Sequence, residues 1–150
     1  MKLAEALILR ADLQTRLDQL RERLTMNARV QEGEVPAEDP VSLLKEADAA
    51  SAQLEELIGR INLTNARVSL NGLTLTEQLA KREVLTKRIS ILRSLLDAAS
   101  SLTMRGTRSE VKIYSTVDVA ALRKQTDDLS RDLRELDTAI QGANWTTDLL

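Results

Sequence analysis

Apolar residues return along this chain in alternating steps of three and four. Leu3, Ala6, Arg10, Leu13, Leu17, Leu20, Leu24 and Asn27 form the first such series, polar only at Arg10 and Asn27. On an α-helix this spacing gathers the residues into one stripe that faces a partner. A helix over these residues is roughly 37 Å long, and one narrow stripe leaves it unstable without neighbours. A second series, Leu44, Ala47, Ser51, Leu54, Ile58, Ile61, Asn65 and Val68, predicts a helix from about Pro40 to Val68. Leu75, Leu79, Arg82, Leu85, Ile89, Leu92, Leu96 and Ala99 predict a third. Leu122, Thr126, Leu129, Leu133, Leu136, Ile140 and Ala143 predict a fourth. Long helices joined by short loops pack as antiparallel neighbours.

The breaks between these series carry their own signals. Residues 28–40 hold Gly33, Pro36 and Pro40 among Glu32, Glu34, Glu38 and Asp39, an acidic connector that stops helix propagation. Asp39 before Pro40 fits an N-cap with proline at the first helical position. Asn71-Gly72 is the strongest turn signal and, between two helical patterns, marks a helix stop. Thr74 or Thr76 can cap the third helix. From Ser109 to Val117, β-branched Val111, Ile113 and Val117 alternate with Lys112, Tyr114 and Thr116, which predicts a short strand. A hairpin over 102–117, turning at Gly106-Thr107, is the fuller version of the same reading. A lone strand needs a pairing partner, and a second subunit can supply one. Asp118 caps the last helix, Gly142 frays its end, and 144–150 form a tail.

Composition narrows the chemistry. At 150 residues the chain is one ordinary domain, read as a single helical bundle over 1–150. It contains no His, no Cys and no Phe, and its aromatic residues are Tyr114 and Trp145. An imidazole base, a thiol nucleophile, a disulfide and a Cys/His zinc site are therefore excluded. Glycines are scattered singly, so no phosphate loop is present. The carboxylates fall on helix surfaces, as at Glu46, Glu55, Glu56, Asp127 and Asp128, where solvation explains them. No catalytic, cofactor-binding or metal-binding residue is expected, no small-molecule substrate is inferred, and the protein is read as non-enzymatic. No apolar run approaches ~18 residues, so no membrane span is expected. Glu5 and Arg10 interrupt the N-terminal apolar stretch, and the simplest compartment is cytoplasmic.

Three groups of residues stand out. Arg10, Arg82 and Asn65 occupy seam positions, where a polar side chain pairs, snorkels or fixes partner register, and an anion pocket is the alternative. Val111, Ile113, Tyr114, Trp145 and Leu149 lie in the strand and tail, as candidate contacts for another subunit or partner. For Trp145 an anchor onto its own bundle is an equal reading. Lys81, Arg88, Arg93, Arg105 and Arg108 concentrate positive charge and are candidate anion contacts. With a net charge of −2 over the chain and no interleaved aromatics, nucleic acid is a secondary reading of that segment.

Particular strings also bear a resemblance. Met1 to Leu7 and Leu9 to Gln14, Asn27 to Gly33, Glu38-Asp39-Pro40, Ile61-Asn62 to Asn65, Ser115 to Lys124, and Asn144-Trp145-Thr146-Thr147 resemble a family of small bacterial helical proteins of unknown function. Some members are labelled septicolysin. The resemblance implies a mostly helical bacterial protein and carries over no site residue. A cytolytic toxin is what the label implies, although the chain has no aromatic-rich loop to enter a lipid interface. The expected fold is mainly α: a bundle of about four helices, some long and coiled-coil-like, with a short strand or hairpin before the last. The expected role is a self-assembling interaction or scaffold protein without catalysis, with a homo-oligomer as its form.

Overall fold

A computed structural model of the chain describes residues 1–101 and 112–150. It contains α1 (Leu3–Met26), α2 (Pro40–Arg67), a hairpin of β1 (Ser69–Leu70) and β2 (Leu73–Thr74), α3 (Leu75–Ser100) and α4 (Val119–Thr146). The four-helix, hairpin-bearing fold class is as expected from the sequence. The chain divides into two compact units, Met1–Ser69 with Gly142–Leu150, and Leu70–Gln141.

In the first unit α1 and α2 run antiparallel. Arg16, midway along α1, pairs with Glu46 at 3.5 Å, and Arg23, in its last turn, pairs with Glu38 just before α2. The α1 stripe is the one read from the pattern: Leu3, Ala6, Leu13, Leu20 and Asn27 are buried, with Ala4 beside them. The α2 stripe keeps Ile61 but otherwise lies one residue earlier than expected. Leu43, Ala50, Leu57, Ile61 and Thr64 are buried, while Leu44 and Ser51 are exposed and Asn65 is half-buried. Both phases have heptad spacing, and the adjacent pairs Leu43-Leu44 and Leu57-Ile58 fit either. Thr64 tolerates burial because its hydroxyl donates to the Arg60 carbonyl at 2.8 Å.

The helix caps follow the sequence signals. Asp39 accepts from the backbone N–H groups of Val41 and Ser42, each at 3.2 Å, with Pro40 opening α2. The connector before it is tied down by Asn27, which donates to Arg23 O at 2.9 Å and accepts from the Glu38 N–H at 3.0 Å.

Residues 144–150 do not hang free. The Leu3 N–H donates to Thr147 O at 2.9 Å and the Leu149 N–H to Met1 O at 3.0 Å, around an antiparallel bridge between Lys2 and Asp148. Lys2 Nζ lies 2.8 Å from the Asp148 carboxylate. On the other side Arg60 Nε donates to Leu150 O at 2.8 Å and the Leu150 N–H to Thr64 Oγ1 at 3.0 Å. Gly142 does not fray α4. The helix continues to Thr146, whose hydroxyl donates back to the Gly142 carbonyl at 3.0 Å.

In the second unit Asn71 and Gly72 both take positive φ, 53° and 83°, and close a two-residue hairpin loop. This is the turn that matches the twist of paired strands. The Asn-Gly signal thus builds a hairpin rather than stopping a helix, since α2 ends earlier, at Arg67, with Val68 as its C-cap. Thr74 Oγ1 accepts from the Glu77 N–H at 3.2 Å while the Thr74 N–H donates to Glu77 Oε2 at 2.7 Å, a reciprocal cap on α3. Asp118 caps α4 by accepting from the Ala121 N–H at 3.0 Å. The α3–α4 pairs Arg82–Asp137 at 3.5 Å and Arg93–Ser130 at 3.4 Å show that these helices also run antiparallel.

The strand expected over 109–117 is corrected for its described part. Residues 112–117 carry no strand, and Ser115 Oγ closes a local turn by accepting from the Val117 N–H at 3.3 Å. The remainder of the expected 102–117 insertion lies outside the described residues, with Val111, Arg105 and Arg108.

Candidate functional site

The second unit has two unlike faces. On one, a groove of about 620 Å³ runs between α3 and α4 and ends at the Asn71 turn. Leu85, Leu129, Leu136 and Ala139 form its floor, with Val84 and Leu73 at its margins. Lys81 and Arg88 line the α3 side, and Asp132 and Glu135 the α4 side. Antiparallel register places Arg88 level with Asp132, and Lys81 within about one helical turn of Glu135. Lys81, Arg88 and Glu135 form no ion pair with one another or with any other residue among the described ones. On the opposite face Ser90, Arg93, Asp97 and Ser130, together with Ile89 and Leu133, line a smaller hollow of mixed polarity, about 370 Å³.

Gln78 sits where the hairpin meets the groove and is 3% exposed. Its Nε2 donates to the Leu70 carbonyl at 2.7 Å, holding the hairpin against α3. Its Oε1 is buried without a hydrogen-bond partner among the described residues. Above the groove, α3 carries a second apolar stripe. Val84, Ile91 and Leu95 are exposed, Val84 at 68%, and with Arg88 they repeat in steps of four and three. Helical residues at that spacing share a face.

The candidates named from sequence are scattered. Lys81 and Arg88 flank the groove but face carboxylates across it, whereas Arg93 lies on the opposite face and donates to Ser130. The described basic residues therefore do not form one anion surface. Arg82 is half-buried and pairs with Asp137 at 3.5 Å. Arg10 keeps a buried Nε with no partner among the described residues, and Asn65 is half-buried. Leu149, named as a candidate partner contact, is only 9% exposed and is covered by its own chain. Trp145 stays 55% exposed, so the tail is anchored by Leu149 and the Lys2–Asp148 bridge rather than by the indole. Ile113 and Tyr114 are exposed.

Electrostatic shifts are concentrated at the ends of elements. Hydrogen bonds from the Arg23 guanidinium hold Glu38 below the usual carboxylate range, and Arg23 is raised in return. Glu77 is lowered chiefly by the Thr74 backbone N–H, and Asp148 by Lys2. No cluster of acidic residues suited to a metal ion occurs among the described residues, and no described helix is long and apolar enough to cross a membrane.

The fold and its open groove describe a four-helix protein whose most distinctive surface is apolar with charged edges. Over residues 10–149 the chain matches the model of a family of unknown function, DUF6847, and belongs to that family. Its fold is similar to the crystal structure of a functionally unknown conserved protein from Corynebacterium diphtheriae. The two are 38% identical, with a TM-score of 0.90 over 100% of this chain and 99% of that one. No curated protein matches the chain. These comparisons support the helical family of unknown function and give no support to the septicolysin label.

Proposed function

We propose that this chain is a non-enzymatic interaction protein that uses the α3–α4 groove to receive a helical protein surface. The observation that carries the reading is the juxtaposition of the groove's apolar floor with the exposed Val84, Ile91 and Leu95 stripe. Exposed apolar surface at helical spacing, edged by charge, is what a helix-docking groove requires. Absence of His and Cys from the whole chain supports a role without catalysis. A photoreactive amino acid placed at Val84 and, as a control, at the exposed connector residue Val35 tests the reading in the native host. The expected result is a protein adduct from Val84 and none from Val35. Absence of any adduct at Val84 sinks it.

A further inference from the structure

The charges edging the groove say what fills it. We infer that the groove's occupant is a second copy of this chain, related by a two-fold axis parallel to α3 and α4. This deepens the interaction reading above and rests on it.

When two α3–α4 layers meet face to face with their helices aligned, the two-fold axis of an isologous contact runs either across the helices or along them. An axis perpendicular to the helices lays α3 on α3 and α4 on α4. Lys81 and Arg88 would then face the partner's α3, whose groove-lining charges are again basic, and Asp132 and Glu135 would face the partner's acidic α4. An axis parallel to the helices instead lays α3 of one protomer on α4 of its partner. Heights along the helices are conserved by this rotation, so residues level across the groove become residues level across the interface. Arg88 then meets the partner's Asp132, and Lys81 comes within about one helical turn of the partner's Glu135, a distance its stem spans. Each contact occurs twice. The same rotation brings Val84 of each protomer over the partner's apolar floor. Like-charge juxtaposition costs several kcal/mol where opposite charges steer and fix register, so the charge layout selects the parallel axis. Lys81, Arg88 and Glu135 have no ion-pair partner among the described residues, and Asp132 is met there by Arg131 at 4.0 Å, a long and exposed contact that leaves it room for a second cation.

Light scattering behind a sizing column on the full chain tests this, with two charge-reversed variants. One carries Lys81→Glu and Arg88→Glu, the other Asp132→Lys and Glu135→Lys. Wild type is expected at twice 16.7 kDa. Each variant alone sets like charges against each other and is expected to dissociate about a hundredfold more readily, running as a monomer with unchanged helical circular dichroism. An equimolar mixture restores opposite charges at every contact and is expected to regain the dimer mass. A wild-type monomer throughout the accessible concentration range overturns the inference. So does a dimer that survives both reversals, or variants that stay monomeric when mixed. The Val84 adduct separates this failure from failure of the broader reading. An adduct with a foreign protein overturns only the two-fold dimer, whereas absence of any adduct overturns both.

Discussion

The two units of this chain solve the burial problem differently from similar material. In the first, α1 and α2 present stripes that become a closed core, with Leu3, Ala6, Leu20 and Ile61 at most 1% exposed. In the second, α3 and α4 carry equally regular stripes, yet most of those residues are only half-buried and a groove opens beside them. The difference lies in what is added to each helix pair. The first unit gains the connector, stapled by Asn27 and Glu38, and the tail, bridged to Lys2. Among the described residues, the second gains the small hairpin at one end. Two helices alone cannot enclose a core, so whatever further segments are supplied decides how much of the stripe is sealed.

The largest expected contrast comes from truncating one apolar side chain in each unit. Leu20→Ala in the closed core is expected to cost about 3 kcal/mol, because a cavity remains where the side chain was. Val84→Ala at the groove margin is expected to change stability by no more than about 0.5 kcal/mol. Urea unfolding followed by circular dichroism measures both, and equal losses would abolish the contrast. Leu149→Ala should fall between them at about 2 kcal/mol, since it opens the closed unit at its edge. Thr74→Ala removes the reciprocal cap and should cost about 1 kcal/mol, with fraying at the start of α3 visible as faster hydrogen exchange there.

The smallest effect is electrostatic. Glu38 and Asp148 in the first unit have folded-state pKa values below their ordinary ones, so the unfolded chain takes up protons first as pH falls. Their contribution is complete above the ordinary carboxylate range of about 4 and is lost as pH drops through the lowered values. The thermal midpoint should therefore decline over that interval, and Glu38→Gln should flatten the decline. A pH dependence unchanged in that variant would remove Glu38 from the account.

Much of this contrast is visible in the chain's pattern, and what escapes it has physical causes. Helix positions and caps are legible because they depend on neighbours: Asp39 with Pro40, Thr74 with Glu77, Asp118 with Ala121. The phase of α2 is not, because Leu43-Leu44 satisfies two stripes. The structure buries Thr64, which Leu150 meets from 86 residues away. The Asn71-Gly72 turn is legible, whereas two-residue strands are too short to show an alternating pattern. Lys81 and Arg88 are conspicuous as a basic cluster. Their significance changes once the antiparallel register sets Asp132 and Glu135 across from them, and no local spacing predicts that. Leu149 reads as a loose end until its backbone is seen hydrogen-bonded to Met1.

That last pairing bears on the order in which the chain acquires its shape. Lys2 Nζ reaches the Thr146 carbonyl across 144 positions, whereas Arg93 and Ser130 are separated by 37 and Arg23 and Glu38 by 15. Contacts between near neighbours form early, and those that close long loops come late. During synthesis α1 and α2 can pair soon after both leave the ribosome, and α3 and α4 follow. The bridge to Lys2 must wait until Asp148 has been made, leaving the N-terminal end of α1 unsealed while α2, α3 and α4 are synthesised.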